Sequence, residues 1–207
     1  MGYEAMAIGE NDLIFLGMDT LKERAKEAKF PFLSANIMEA KAGKTIFAPF
    51  IIEEVGDERI AIIGVTSASM PQTEQDRLGI SLLDPIGTVK EYVDMLRKDV
   101  DLVIVLSNLG YSIDQQLDQQ VKGIDVIVGG NNRNAEAKPV KINAIIAQGY
   151  MQGKYLGYLR LELAGKAHIT SYEGELINLD SDIADDREVS ELVERYKELY
   201  DKEIGDR

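Results

Sequence analysis

Ile124-Asp125-Val126-Ile127-Val128 runs directly into Gly129-Gly130-Asn131-Asn132-Arg133-Asn134. The first five residues read as a buried strand, because a short apolar run bounded by glycine suits a strand covered on both faces. The two glycines permit a tight turn and close backbone approach at its carboxyl end. In an open α/β sheet that end is where ligands bind. The same grammar recurs upstream. Asp101–Leu106 (DLVIVL) reads as a central strand feeding Ser107-Asn108-Leu109-Gly110-Tyr111, and Tyr3–Ile8 is a short apolar run ending in Gly9-Glu10-Asn11-Asp12. Taken singly, each of the three loops is also what a glycine- and asparagine-rich turn looks like on steric grounds.

Working outward, Asp84-Pro85 supplies a cap and a first-turn proline for a helix carrying Val89, Tyr92, Val93 and Leu96 on one face. Ser112–Val121 is expected as a short serine-capped helix. Strand, helix, strand, helix, strand at this spacing predicts parallel crossover units. Upstream, Met18–Ala28 has helical periodicity, with Pro31 preventing its extension, and Phe32–Asn36 is a second short strand. Phe47–Val55 and Glu58–Val65 flank Gly56-Asp57, a hairpin turn. Ser67–Ser81 reads as a polar loop. Past Pro139, the runs Val140–Ala147, Tyr155–Leu163 and Ala167–Asn178 read as successive antiparallel strands, with Tyr155, Leu159, Leu161 and Leu163 on one face of the second. Asp185–Ile204 is an amphipathic helix with a stripe of Val189, Leu192, Val193, Tyr196, Leu199 and Tyr200. Its start is capped by Asp185 or Asp186, and the acidic run around them lacks the glycine and terminal glutamate of a calcium loop. The domain boundaries expected are 1–180 and 185–207.

Composition excludes several function classes. The net charge of −13 disfavours nucleic acid and anionic lipid as partners. The absence of cysteine removes disulfides, thiolate metal sites and a cysteine nucleophile. No apolar run is long enough to span a membrane. Met1-Gly2 is not followed by a signal peptide, which leaves the compartment open. The one histidine, His168, follows Gly165-Lys166 far from the three loops, so a serine–histidine–carboxylate arrangement is not expected. Met6, Met18 and Met38 read as core or half-buried fillers.

In order along the chain, YEAMAIGEND, FPFLSANI, IAIIGVTS, DLVIVLSNLGY, GIDVIVGGNNRN and GKYLGYLRLEL resemble the 5′-nucleotidase branch of the calcineurin-like metallophosphoesterases. The resemblance covers roughly residues 3–163. It implies an α/β fold, a layered metallophosphoesterase-like sheet sandwich with flanking helices. The family's aspartate–histidine motif and bridging aspartate lie on strands earlier than anything in this chain, so the sheet is expected to be N-terminally incomplete. The family's carboxy-terminal specificity domain has no counterpart here either. Family loops read Gly-Asn-His-Glu/Asp, Ser-His-Leu-Gly and Gly-Gly-His-Ser-His. By that resemblance Glu10, Asn108, Asn131 and Arg133 occupy metal-ligand positions, and Asn11 and Asp12 the catalytic positions. Every histidine of the matched motifs is replaced. The resemblance also points to the periplasm or the cell exterior.

Asparagine oxygen is a weaker ligand than imidazole for zinc- or manganese-type ions, and guanidinium cannot coordinate at all. Arg133 either pairs with Glu10 or Asp12 in place of a metal charge or points to solvent. The expectation is a module without a dinuclear site, holding no cofactor, acting in binding or structure. With the leading strands missing, a homodimer or a partner chain is expected to cover the exposed sheet edge. Two alternatives stand beside it. One is a phosphohydrolase in which Glu10, Asp12, Asn108 and Asn131 hold a divalent metal, a hard ion such as Mg or Mn, or Zn. The other is an anion site built from Gly130 and Arg133.

Overall fold

A computed structural model describes residues 2–131, 138–150, 152–165 and 168–205. The chain divides into two units, Met1–Ile177 and Asn178–Arg207.

The first unit opens with β1 (Met6–Ala7), followed at once by α1 (Glu10–Glu27). The helix starts eight residues earlier than its periodicity predicts. Gly17, at φ 73°, breaks it into two segments, and the first of these exposes Ile14, Phe15 and Leu16, so it carries no apolar stripe to read. Glu10, Asn11 and Asp12 are therefore the first turn of a helix and not a loop. Short strands β2 (Phe32–Leu33) and β3 (Ile37–Glu39) follow, β2 pairing in parallel with β1.

The hairpin is formed by β4 (Phe50–Val55) and β5 (Glu58–Thr66), antiparallel around Gly56 at φ 64°. The stretch expected as a polar loop contains α2 (Gln72–Leu78) and β6 (Ile80–Leu82), the latter pairing antiparallel with β3. Pro71 and Gly79 (φ 68°) bracket α2 as a proline start and glycine stop do. Then come α3 (Pro85–Leu96), β7 (Leu102–Asn108), α4 (Tyr111–Gln120) and β8 (Val126–Gly129). Asp84 caps α3 as predicted, its carboxylate accepting from the Gly87 N–H at 2.7 Å. For α4 the cap is Gly110, at φ 89°, and Ser112 lies inside the first turn with no capping role.

Val140–Ala147 is not one strand. It splits into β9 (Val140–Lys141) and β10 (Ile145–Gln148), and β10 pairs in parallel with β8 while β9 runs antiparallel to β10. The sheet order is β4-β5-β7-β8-β10-β9, with β5, β7, β8 and β10 mutually parallel. The last strands of this unit, β11 (Tyr155–Ala164) and β12 (His168–Asn178), form a separate two-stranded sheet. Tyr155, Leu159 and Leu161 are half-buried on one face of β11, whereas Leu163 is exposed. His168 is exposed at the start of β12, and Met6, Met18 and Met38 are half-buried.

Alternation along β5 divides the interior. Ala61, Ile63 and Val65 join Val89, Val93, Val103, Val105, Leu117 and Ile127 in one core under α3 and α4. Gly64 and Thr66 turn the other way, toward β1 and β2. A Cβ on Gly64 would lie 2.4 Å from the Leu33 Cβ and 2.6 Å from its carbonyl oxygen, so only glycine lets the layers meet there. Ile8, Leu13, Leu21, Ile37, Phe47 and Ile80 form the second core.

The second unit is dominated by α5 (Arg187–Gly205), capped by Asp186, whose carboxylate accepts from the Val189 N–H at 2.9 Å. Its stripe of Val189, Leu192, Val193, Tyr196, Leu199 and Tyr200 is exposed. No helix among the described residues is long and apolar enough to cross a membrane.

Candidate functional site

Strands β1, β7 and β8 each end in a glycine-bearing turn, and the three turns are tied to one another. At the first, Gly9 begins α1 with no side chain to cap it. The cap comes from the third helical residue instead: the Asp12 carboxylate accepts from the Gly9 N–H at 2.8 Å. An acid here also suits the positive end of the helix. A Cβ on Gly9 would meet Asn108 Nδ2 and Asp12 Oδ2, each at 3.2 Å, so the absence of a side chain allows the second turn to approach.

That approach is sealed by the Glu10 N–H, which donates to Asn108 Oδ1 at 3.1 Å. The Glu10 carboxylate turns to the segment after β5. The Ser69 hydroxyl reaches both of its oxygens, at 2.9 and 2.8 Å, and itself accepts from the Ser67 hydroxyl at 3.0 Å. Beneath the turn, the Thr66 hydroxyl donates to the Ile8 carbonyl at 2.8 Å, and Asn36 accepts from the Thr66 N–H at 2.9 Å. Ser34, Asn36 and Thr66 are fully buried, and these bonds satisfy them.

The third turn is joined to the second through its backbone. The Gly130 N–H donates to the Ser107 carbonyl at 2.7 Å, and the Leu109 N–H donates to the Ser107 hydroxyl oxygen at 3.1 Å. That hydroxyl donates in turn to Asp114 in the first turns of α4. Asp114 is fully buried. Burial pushes its carboxyl up to about 6, against the opposing pull of hydrogen bonds from Ser107 and Gln148. Gly129 lies directly over this acid: a Cβ there would sit 2.4 Å from Asp114 Oδ2.

Of the residues singled out from sequence, Glu10, Asp12 and Asn108 gather around Gly9, and Gly130 is bonded to Ser107 next to Asn108. Asn11 is exposed on the first turn of α1. Asn131 is exposed and left-handed at φ 68°, a conformation asparagine tolerates. Asn132, Arg133 and Asn134, and with them any pairing of Arg133 with Glu10 or Asp12, lie outside the described residues. The Gly130 N–H, one of the groups considered for an anion, is engaged by Ser107. Among the described residues no three histidine, cysteine, aspartate or glutamate side chains are placed to hold one metal ion. A cavity of about 750 Å³ lies elsewhere, lined by Met18, Lys22, Lys41 and Arg77 among others and by no residue of the three turns. Ser69, Asp114 and Gln148 were not singled out from the sequence, and Ser107 was placed in the second loop without a role of its own. Ser107 and Asp114 are seven apart, at a strand end and a helix start, and only their packing reveals them.

No protein-family model matches this chain. It is 30% identical to bovine (Bos taurus) 5′-nucleotidase over 97% of its own length and 39% of that relative's. Among solved structures, a 5′-nucleotidase precursor from Thermus thermophilus superposes with a TM-score of 0.77 at 27% identity, covering 98% of this chain and 43% of that one. The calcineurin-like phosphoesterase YfkN of Bacillus subtilis matches in fold, with a TM-score of 0.73 at 19% identity over 90% of this chain and 67% of that one. The chain thus spans about two fifths of the length of its curated relative.

Proposed function

We propose, for a chain that is a 5′-nucleotidase-like domain with the calcineurin-like phosphoesterase fold, that it has given up dinuclear metal chemistry and works as a non-catalytic binding or structural module. One observation carries this reading. Oxygen atoms that could turn toward a metal already accept bonds within the fold: Asn108 Oδ1 from the Glu10 amide, Asp12 Oδ2 from the Gly9 amide, and the Glu10 carboxylate from the Ser69 hydroxyl. A dinuclear centre needs imidazole and carboxylate ligands holding two cations roughly 3.5–4 Å apart. Asn108 and Asn131 are neutral amides, and His168 is exposed on β12. This donor set does not fit such a centre.

The test is an assay of the purified protein against nucleoside monophosphates and a generic phosphoester, with Mn, Mg and Zn in turn. The non-catalytic reading expects no metal-dependent turnover, and no change on Asp12→Ala. A second reading draws on the gathering of Glu10, Asp12 and Asn108 around Gly9. These are oxygen donors suited to a hard ion such as Mg or Mn, which would serve a rearranged phosphohydrolase. Metal-dependent turnover abolished by Asp12→Ala would establish it in place of the first.

A module of this kind needs a surface for a partner. β1 is only two residues long and pairs on one side, with β2; among the described residues no strand pairs with its other edge. That edge is where a second copy or a partner chain would add. The compartment proposed is the periplasm or the cell exterior, following the precursor designation of the Thermus relative.

A further inference from the structure

The acid beneath the third turn has no part in the functions above, yet it sits where two of the three turns are joined. Asp114 is fully buried; Ser107 and Gln148 are 5% and 7% exposed. The elements packed around it contribute neutral groups: Ser107 from β7, Gly129 from β8 and Gln148 from β10. On its own helix Asp118 lies one turn on, and its carboxylate is spent on the amides of Asn143 and Ala144, at 3.1 and 2.6 Å. No cationic side chain among the described residues pairs with Asp114. What covers it is glycine backbone, since no Cβ fits at position 129. The same Ser107 that donates to Asp114 holds Leu109 through its hydroxyl and Gly130 through its carbonyl.

We infer that Ser107, Asp114 and Gln148 form a latch beneath the Gly129–Gly130 turn, tightest with a proton on Asp114 and yielding to water once that proton is withdrawn. A carboxylate formed in this setting has two neutral donors and no cation, and letting the thin glycine cover lift is the least costly way to hydrate it. The Ser107 and Gly129–Gly130 backbones then part, and the turns bearing Asn108 and Asn131 move independently. In the closed state the proton binds more tightly than in the opened, hydrated one. Opening should therefore become more frequent from the ordinary aspartate range up to the buried group's own titration, then level off. The latch operates whether or not the turns above it hold a metal, so its failure and the failure of the non-catalytic reading are separate results.

Native-state amide exchange of the whole chain tests it, read at Leu109 and Gly130 and corrected for intrinsic pH dependence, with Ile62 and Ile63 in β5 as references. In the wild type, protection at Leu109 and Gly130 should fall about tenfold per pH unit between about 4 and 6 and flatten above, while Ile62 and Ile63 stay the more protected throughout, so that the two turn amides report a local opening and not global unfolding. Asp114→Asn, a near-isosteric mimic of the protonated acid, should abolish that slope. Ser107→Ala, read at Gly130 alone because it also removes the acceptor of the Leu109 N–H, takes away a bond that favours the charged form and should carry the plateau to higher pH. Wild-type protection that is flat over this range, or the same slope persisting in Asp114→Asn, would overturn the latch. Should Asp114→Asn fail to fold, the wild-type slope and the Ser107→Ala displacement decide, and a displacement to lower pH or none counts against it.

Discussion

Asn108, at the end of one strand, accepts a hydrogen bond from the backbone N–H of Glu10, at the start of a helix 98 positions earlier. The bond joins the turn after β7 to the first turn of α1. The turns are held together by amides and carboxylates.

Asn108→Ala should cost about 0.5–1.5 kcal/mol, the net worth of one hydrogen bond, and more if the Glu10 amide stays dry. Urea unfolding measures it. Asn108→Asp keeps an acceptor and should cost less. Equal losses in both variants would mean that the contact with Glu10 contributes nothing.

Asp12→Ala removes the side-chain acceptor that the Gly9 amide uses. A loss of about 1 kcal/mol is expected, as for other helix-cap deletions. It should be visible as a lowered midpoint in denaturant with an unchanged slope.

Gly64→Ala should be severely destabilising, beyond the roughly 1–3 kcal/mol usual for overpacking, because the new methyl meets the Leu33 backbone as well as its side chain. Backbone on both sides leaves no rotamer to relieve the clash. Soluble, cooperatively unfolding Gly64→Ala of near wild-type stability would show that β2 does not press on β5 as described.

Much of this frame was legible along the chain. Val103–Val105 and Val126-Ile127 declare buried parallel strands by apolar runs, although Val128, expected to be covered with them, is exposed, and Asp84-Pro85 declares a helix start. Other parts were hidden for physical reasons. Glu10–Leu16 packs with exposed Ile14, Phe15 and Leu16, so its helix lacks the apolar stripe that periodicity detects; the acid at Asp12 was the available signal. Gln72–Leu78 is too short for a periodic pattern, although Pro71 and Gly79 mark its ends. The parallel pairing of Ile145–Gln148 with Val126–Gly129 is a tertiary choice that no local pattern encodes. Asp114 lies on a polar-looking helix, and its burial arises from strands that meet it only in the fold.

Asp114 also governs a global pH dependence. Its carboxyl is raised from the ordinary 3.8 to about 6 in the folded chain. A raised acid binds its proton more tightly when folded, so its stabilising contribution is full below about pH 4. It is lost as pH climbs through about 6, up to about 3 kcal/mol in all. Relative to the wild type, Asp114→Asn should gain stability between about pH 4.5 and 7. Parallel stability curves for the two proteins would contradict the burial assigned to this group.

The engagement of Asn108, Asp12 and Glu10 within the fold is tested most directly by isothermal titration of the unchelated protein with Mn and with Zn, at neutral pH and low ionic strength, alongside elemental analysis of the same sample. With Asn108, Asp12 and Glu10 committed to the fold, the expected result is no saturable heat and less than about a tenth of a metal ion per chain, on the order expected of adventitious surface carboxylate binding. Two equivalents of tightly held metal, lost together in Asp12→Ala, would contradict it.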